Sequence, residues 1–171
     1  NAALLYDDHA VTVAMFPNGH SRLTVDKHEV FRDFPMVSEE HDNPAVPLLW
    51  RQTSTSFGIF PNLVVPMDTG AFTFLCMWPT SDTTTDLELR WYAPAWAGDA
   101  VPQEHLDRMA LFDTVMAQDQ ANMAPIQASI SSPGARPFQL GWHERLIHHF
   151  ERAVDLAIGP DLLPPATAVS D

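Results

Sequence analysis

The stretch from Asp86 to Tyr92 alternates without a fault: Leu87, Leu89 and Trp91 on one side, Glu88 and Arg90 on the other. A period of two over seven residues is a strand with one covered and one wetted face. The segment before it, Ala71–Trp78, sets Phe72, Phe74, Cys76 and Trp78 against Ala71, Thr73, Leu75 and Met77. Both sets are largely apolar, so this strand is expected to be central or covered on each side. Between the two lies only the turn stretch Pro79–Thr84. Neighbouring strands joined that tightly pair antiparallel, which commits the chain to a meander.

More strands precede these two. Residues 2–7 and 10–16 read as short strands separated by Asp8-His9, and Pro17-Asn18-Gly19 turns the chain into Ser21–Val25. Residues 26–45 are polar, with a short helix expected at Glu29–Phe34, and are the candidate lid of any pocket. Leu48–Ser56, Gly58–Phe60 and Leu63–Met67 complete the strand series. After Ala93–Pro102 the period changes to that of a helix, from about Gln103 to Ala124, where Pro125 is expected to break it. A last helix over about Trp142–Ile158 shows Leu146, Ile147, Phe150, Ala153, Val154 and Ala157 as its apolar face, and Gly159-Pro160 stops it. Strands first and long helices afterwards is an α+β arrangement. At 171 residues with 46% hydrophobic content, one domain with a core is expected over residues 1–160, and a loosely held tail over 161–171.

The long helix carries an anomaly. Phe112, Met116, Met123, Ile126 and Ile130 follow a three-and-four spacing, and the slot between Met116 and Met123 holds Asp119. A carboxylate on a buried line needs a partner or a ligand. Two readings stand: a local structural pairing, with Arg108 or a backbone amide at a helix break, or a functional group.

Other candidates are weaker. His143-Glu144 with His148 and His149 lacks the i, i+4 histidine spacing of a helical zinc site, since position 147 is Ile147. Gly19-His20-Ser21 is not a nucleophile elbow and reads as a surface turn. His9, His28 and His41 are scattered through loops, and no glycine-rich phosphate loop occurs. Cys76 is the single cysteine, so no intrachain disulfide or thiolate cluster is available, and it reads as a buried small hydrophobe. A net charge of -13 argues against nucleic-acid partners. No apolar run approaches a membrane span and no signal peptide is evident, so a soluble, cytoplasmic protein is expected. The chain starts on Asn1 inside an apolar run and reads as the tail of something longer.

Several of these pieces fall in a characteristic order. Phe60-Pro61-Asn62-Leu63 is followed by strands ending Trp78-Pro79 and Trp91-Tyr92, then Phe112, Asp119, Asn122, Met123 and Gln127, and finally Glu144, Ile147 and His149-Phe150. From about His9 to Ile158 the chain resembles the C-terminal part of the catalytic domain of the alpha subunit of Rieske non-haem iron ring-hydroxylating oxygenases. The resemblance implies a helix-grip fold (START/Bet v 1-like), an antiparallel sheet with a long C-terminal helix pair, here incomplete. It implies a mononuclear Fe(II) held by two histidines and one carboxylate, a facial triad open to dioxygen. On that match Asp119 is the carboxylate ligand, and Phe112, Val115, Ser54 and Ser56 line the substrate pocket.

The departures carry as much information. The paired-histidine segment that supplies the family's other two ligands has no counterpart here, and neither do the cysteine and histidine pairs of the [2Fe-2S] cluster domain. Ala124-Pro125 stands where a glutamate is common. The expectation is therefore a fragment of an oxygenase that hydroxylates a small aromatic or apolar substrate, inactive and without bound metal on its own. Its expected partners are that substrate, further copies (the family forms trimers) and a small beta subunit. The alternative is a non-catalytic helix-grip module that binds a small hydrophobic ligand, and a third option is a cyclase or dehydratase pairing Asp119 with a histidine.

Overall fold

Six antiparallel strands form one sheet in simple sequence order, and two helices follow them. The structure, a computed structural model, describes residues 6–27, 45–47, 50, 52–67, 70–134 and 139–163. The expected helix at Glu29–Phe34, most of the proposed lid, His28, His41 and the last eight residues of the tail lie outside them. The strands are β1 (Tyr6–Met15), β2 (Ser21–Lys27), β3 (Thr53–Ile59), β4 (Leu63–Met67), β5 (Phe72–Pro79) and β6 (Thr85–Tyr92). The helices are α1 (Gln103–Ile130) and α2 (Arg145–Ile158). This is the α+β arrangement expected from the strand-then-helix order, and it is consistent with the helix-grip fold that the resemblance implies. None of the described helices is long and apolar enough to cross a membrane.

Register assigns every strand a common face. Leu23 pairs with Ser56, Gly58 with Val64, Val64 with Leu75, and Leu75 with Leu89. Since side chains alternate, Leu23, Ser54, Ser56, Val64, Leu75, Leu87, Leu89 and Trp91 all project from one side. Thr55, Val65, Phe74 and Arg90 project from the other. Thr55 is only 1% exposed, and its hydroxyl donates to Thr24 Oγ1 across the β2–β3 pair at 3.2 Å. On that second side Phe57 stacks on Trp50, ring centroids 6.3 Å apart.

Four expectations are corrected. The two N-terminal strands are one, β1, and the suspected break at Asp8-His9 survives as a register irregularity between Tyr6 and Val11. Five residue steps on β1 face two on β2 there, so three residues loop out of register while the strand continues. Leu48–Ser56 is not strand throughout: Trp50 and Gln52 are helical, the Trp50 N–H donates to the Pro47 carbonyl at 3.0 Å, and β3 starts at Thr53. β5 is not central. It lies next to the β6 edge, and Trp78 is 51% exposed. Its second apolar row packs within itself instead, Phe72 and Phe74 closing on Tyr92 at 5.3 and 4.8 Å, which leaves Cys76 half-buried. Finally, α1 runs unbroken through Pro125 to Ile130. Proline there deletes one N–H and crowds the Ala121 carbonyl, but this part of the helix is exposed and water can satisfy that carbonyl.

α2 ends as its sequence demands. Gly159 takes φ +102 and donates its N–H to the Asp155 carbonyl at 3.0 Å. A short 3-10 turn, Pro160–Leu162, follows. At the other end the Glu144 carboxylate accepts the Gly141 N–H at 2.6 Å, and the Glu144 N–H donates to the Gly141 carbonyl at 2.9 Å, which closes the turn before the helix starts.

Candidate functional site

The side of the sheet that carries Trp91 offers a floor of small and aliphatic residues. Ser54, Ser56 and Gly58 lie at its middle, and Val64, Leu75, Leu87 and Leu89 extend it toward β6. Ser54 and Ser56 are half-buried. A Cβ at position 58 would fall 2.5 Å from Ser21 Oγ, so a side chain there requires the Ser21 hydroxyl to rotate away. Trp91 closes the β6 end. Its indole takes the Phe112 ring edge-on, centroids 5.2 Å apart and planes at 85°. That contact seats the first half of α1 over this face, where Phe112, Val115 and Met116 are half-buried. Ser54 and Ser56 stand three strands from Trp91, roughly 14 Å at the usual interstrand spacing. The expected pocket residues are thus divided between the floor of the sheet and the helix above its β6 end.

Asp119 departs from expectation. By helical period it shares the face of Phe112, two turns and about 10 Å further along the axis, and it neighbours Val115 at i, i+4. Yet Asp119 is exposed, as is every residue from Ala117 to Ile126, including Met123 at 57%. The apolar stripe is therefore buried only in its first half. No described strand lies under the second half closely enough to cover it. Arg108 is not the carboxylate's partner either, since eleven residues of helix separate them by about 16 Å.

His105 is the residue the sequence reading passed over. It is 5% exposed at the start of α1, with its ring 5.6 Å from that of Trp96 and its Nε2 4.0 Å from Glu104 Oε1. Its spacing from Asp119 is fourteen residues, about 21 Å of helix, so the two do not act on one atom. Only the position of Trp96 in the preceding loop hints at this burial, and one aromatic in a Pro/Ala-rich connection is a poor sequence signal. Among the described residues, no group of three histidine, cysteine or carboxylate side chains is placed to hold a metal ion. Asp119 supplies a single oxygen donor, so the described residues do not by themselves fit a three-ligand iron site.

A cleft lies at the opposite end of the fold, away from Trp91 and Phe112. It is open, has a volume of about 420 Å³ and runs between α2 and the β1–β2 turn, with Phe16, Phe60, Ala153 and Leu156 among its walls. Two histidines staple it. His149 Nε2 lies 3.0 Å from the Phe16 carbonyl and 3.1 Å from that of His20, and two carbonyl acceptors require a proton on that nitrogen. His20 Nδ1 accepts the Phe60 N–H at 3.1 Å, so its proton is on Nε2. His20 is accordingly half-buried and engaged, unlike a free surface-turn histidine. His143 is exposed in a 3-10 turn ahead of α2 and joins no such cluster.

A family model described as ring hydroxylating alpha subunit (catalytic domain) matches residues 37–159, a span that holds Ser54, Ser56, Phe112, Val115 and Asp119. No curated protein and no solved structure matches the chain. With more than half of its length matched, the chain belongs to the family of ring-hydroxylating alpha subunits, within their catalytic domain.

Proposed function

We propose that the chain contributes the substrate-facing wall of a ring-hydroxylating site. An aromatic or small apolar molecule rests between the Ser54–Ser56 floor and the Phe112–Val115 face of α1, and Asp119 offers the carboxylate for a mononuclear ferrous iron. The observation that carries this reading is the Trp91–Phe112 contact inside the matched span, which holds α1 over the sheet with Asp119 two turns beyond. Ferrous iron with two imidazoles and a carboxylate supplies dioxygen activation in this family. The described residues bring one of those three donors, so no step is assigned to them beyond binding and orienting. Phe112 and Trp91 offer a flat apolar edge, and Ser54 and Ser56 offer hydroxyls that orient a ring substituent. A [2Fe-2S] cluster, a trimer of such subunits and a small beta subunit belong to the parent assembly on the same reading, and a cytoplasmic setting goes with it.

The alternative, a ligand-carrying module without metal, draws on one observation: Asp119 is solvent-exposed, and among the described residues no group of three histidine, cysteine or carboxylate side chains is placed to hold a metal. Naphthalene titration followed by tryptophan fluorescence, together with metal analysis of the purified chain, separates these readings. The oxygenase reading expects saturable binding that weakens by about two- to tenfold in Phe112→Ala. It expects ferrous iron to bind weakly and to lose that binding in Asp119→Ala. Iron binding indifferent to Asp119→Ala leaves the carrier reading, and no naphthalene binding at all sinks both.

A further inference from the structure

One histidine ring ties two turns together. His20 closes the β1–β2 turn, and its Nδ1 accepts the Phe60 N–H of the β3–β4 turn at 3.1 Å. Its own carbonyl takes two donors, the Phe16 N–H at 2.8 Å and His149 Nε2 at 3.1 Å. The same His149 nitrogen lies 3.0 Å from the Phe16 carbonyl. The bonds therefore run in series from the β3–β4 turn, through the ring and backbone of His20, to α2. Phe60 also walls the cleft and meets Phe150 with ring centroids 5.9 Å apart. The two imidazoles play opposite parts. His149 gives a proton to its carbonyls, and it can do so neutral or charged. His20 takes one at Nδ1, and an imidazolium has two N–H donors and no acceptor.

We propose that His20 is a pH-sensitive latch: a proton on its Nδ1 releases Phe60 from the β1–β2 turn and opens the cleft beside α2. With that nitrogen protonated, N–H faces N–H across the gap that held a hydrogen bond, and one of the two must turn away. The surroundings give the charged ring no ion pair for staying in place. On α2, Arg145 and Arg152 lie one turn to either side of His149. Arg152 lines the cleft, and Arg145 is turned onto the Trp142 ring, 4.9 Å from its centroid. The end of β1 brings Met15 and Phe16, the β1–β2 turn brings Pro17, Asn18 and Gly19, and the β3–β4 turn brings Phe60, Pro61 and Asn62, none of which titrates. The nearest charge in β2 is Arg22, on the Phe57 side of the sheet. The residues that line the cleft include no carboxylate. The latch needs the neutral ring, so it is closed at high pH and is lost as pH falls through the histidine range. The His149 bonds outlast that change, because their donor keeps its proton. α2 thus stays pinned to the β1–β2 turn while the β3–β4 turn is freed.

Amide NMR of the full chain with isotopically labelled phenylalanine, from about pH 8 to about pH 5, tests the proposal. The Phe60 amide is expected to lose its hydrogen-bonded shift as the His20 ring titrates, with one shared midpoint. Its exchange, corrected for the intrinsic effect of pH, is expected to quicken by about tenfold or more. The Overhauser contact between the Phe60 and Phe150 rings weakens over the same range. In His20→Asn the amide oxygen takes the place of Nδ1 and does not titrate, so Phe60 is expected to keep its high-pH shift throughout. His149→Gln retains a side-chain N–H donor and is expected to leave the Phe60 response intact. Should His20→Asn misfold, the parent chain decides alone through the shared midpoint. A Phe60 amide that stays fixed over this range, one that responds equally in His20→Asn, or one whose response vanishes in His149→Gln overturns the proposal.

Discussion

The Phe60 N–H donates to Nδ1 of His20, forty residues away, at 3.1 Å. That bond joins the β3–β4 turn to the β1–β2 turn, and His149 on α2 reaches the same place through the carbonyls of Phe16 and His20. Phe60 also packs against Phe150 with centroids 5.9 Å apart. Two turns and one helix are thus held by two imidazoles and an aromatic pair. His20→Ala leaves a part-buried N–H without its acceptor and is expected to cost about 1–2 kcal/mol. His20→Asn, whose amide oxygen can take the place of Nδ1, is expected to recover most of it. Urea unfolding of both variants checks this, and equal losses would show that the ring's packing matters and its acceptor does not.

Gly19 lies under the same junction. Its φ is +78, and a Cβ added there falls 2.5 Å from the Ala153 Cβ on α2. A side chain therefore meets both backbone strain, about 1 kcal/mol for a left-handed residue, and a collision with the helix. Gly19→Ala is expected to lose about 2 kcal/mol or more of unfolding free energy. Ala153→Gly in the same chain removes the worst contact and leaves the strain and the tighter approach to Phe60, at 3.1 Å, so part of the loss returns. Chemical denaturation of the single and double variants reads both contributions.

What could be read from the residues follows from where the driving forces are local. β4 keeps the bounds its sequence suggests, and β5 and β6 lie within a residue of theirs, because alternation and turn residues are properties of neighbours in sequence. The Gly159-Pro160 stop holds for the same reason. Burial is a tertiary outcome. Asp119 lies on a line of apolar residues spaced by three and four, yet that line outruns the sheet that covers it, and no spacing rule records where a sheet ends. His20 reads as a turn histidine because its acceptor role depends on Phe60, a partner in another hairpin. Pro125 reads as a break because its local cost is the same wherever it sits in a helix interior; α1 carries that cost and continues to Ile130, with solvent free to satisfy the Ala121 carbonyl.

The Glu88 carboxyl is held below its ordinary value, first by the hydrogen bond from Arg90, then by that from Trp78. A group whose folded value is depressed stabilises the fold above its unfolded value, about 4.3 for glutamate, and loses that contribution as pH falls through the folded value. Glu88→Gln is therefore expected to lower the urea midpoint slightly at neutral pH. The gap should close progressively in the acid range below about pH 4. The side chain is exposed, so the effect is small, and a gap that widens in acid would contradict the assignment.

Asp119 makes a prediction through its exposure. A buried carboxylate removed from its partners changes stability strongly, but an exposed one changes it by no more than about 0.5 kcal/mol. Asp119→Ala is expected to unfold at the wild-type urea concentration, while ferrous iron binding is lost. A large stability change in the metal-free chain would mean that Asp119 has a structural partner.

Pro125 gives the reverse case, a residue that weakens its own helix. Proline in a helix interior costs about 3 kcal/mol relative to alanine, through a lost N–H and a crowded carbonyl. In α1 that cost falls on the exposed half, from Ala117 to Ile130, which the sheet does not hold. Its effect is thus local opening, and global unfolding should hardly register it. Pro125→Ala is expected to slow amide exchange of residues 121–130 by about tenfold or more, while the urea midpoint moves little. Should exchange stay as fast in Pro125→Ala as in the parent chain, the mobility of this half comes from its missing cover alone. Should the global midpoint rise by the full helical penalty, the second half of α1 is packed into the cooperative core after all.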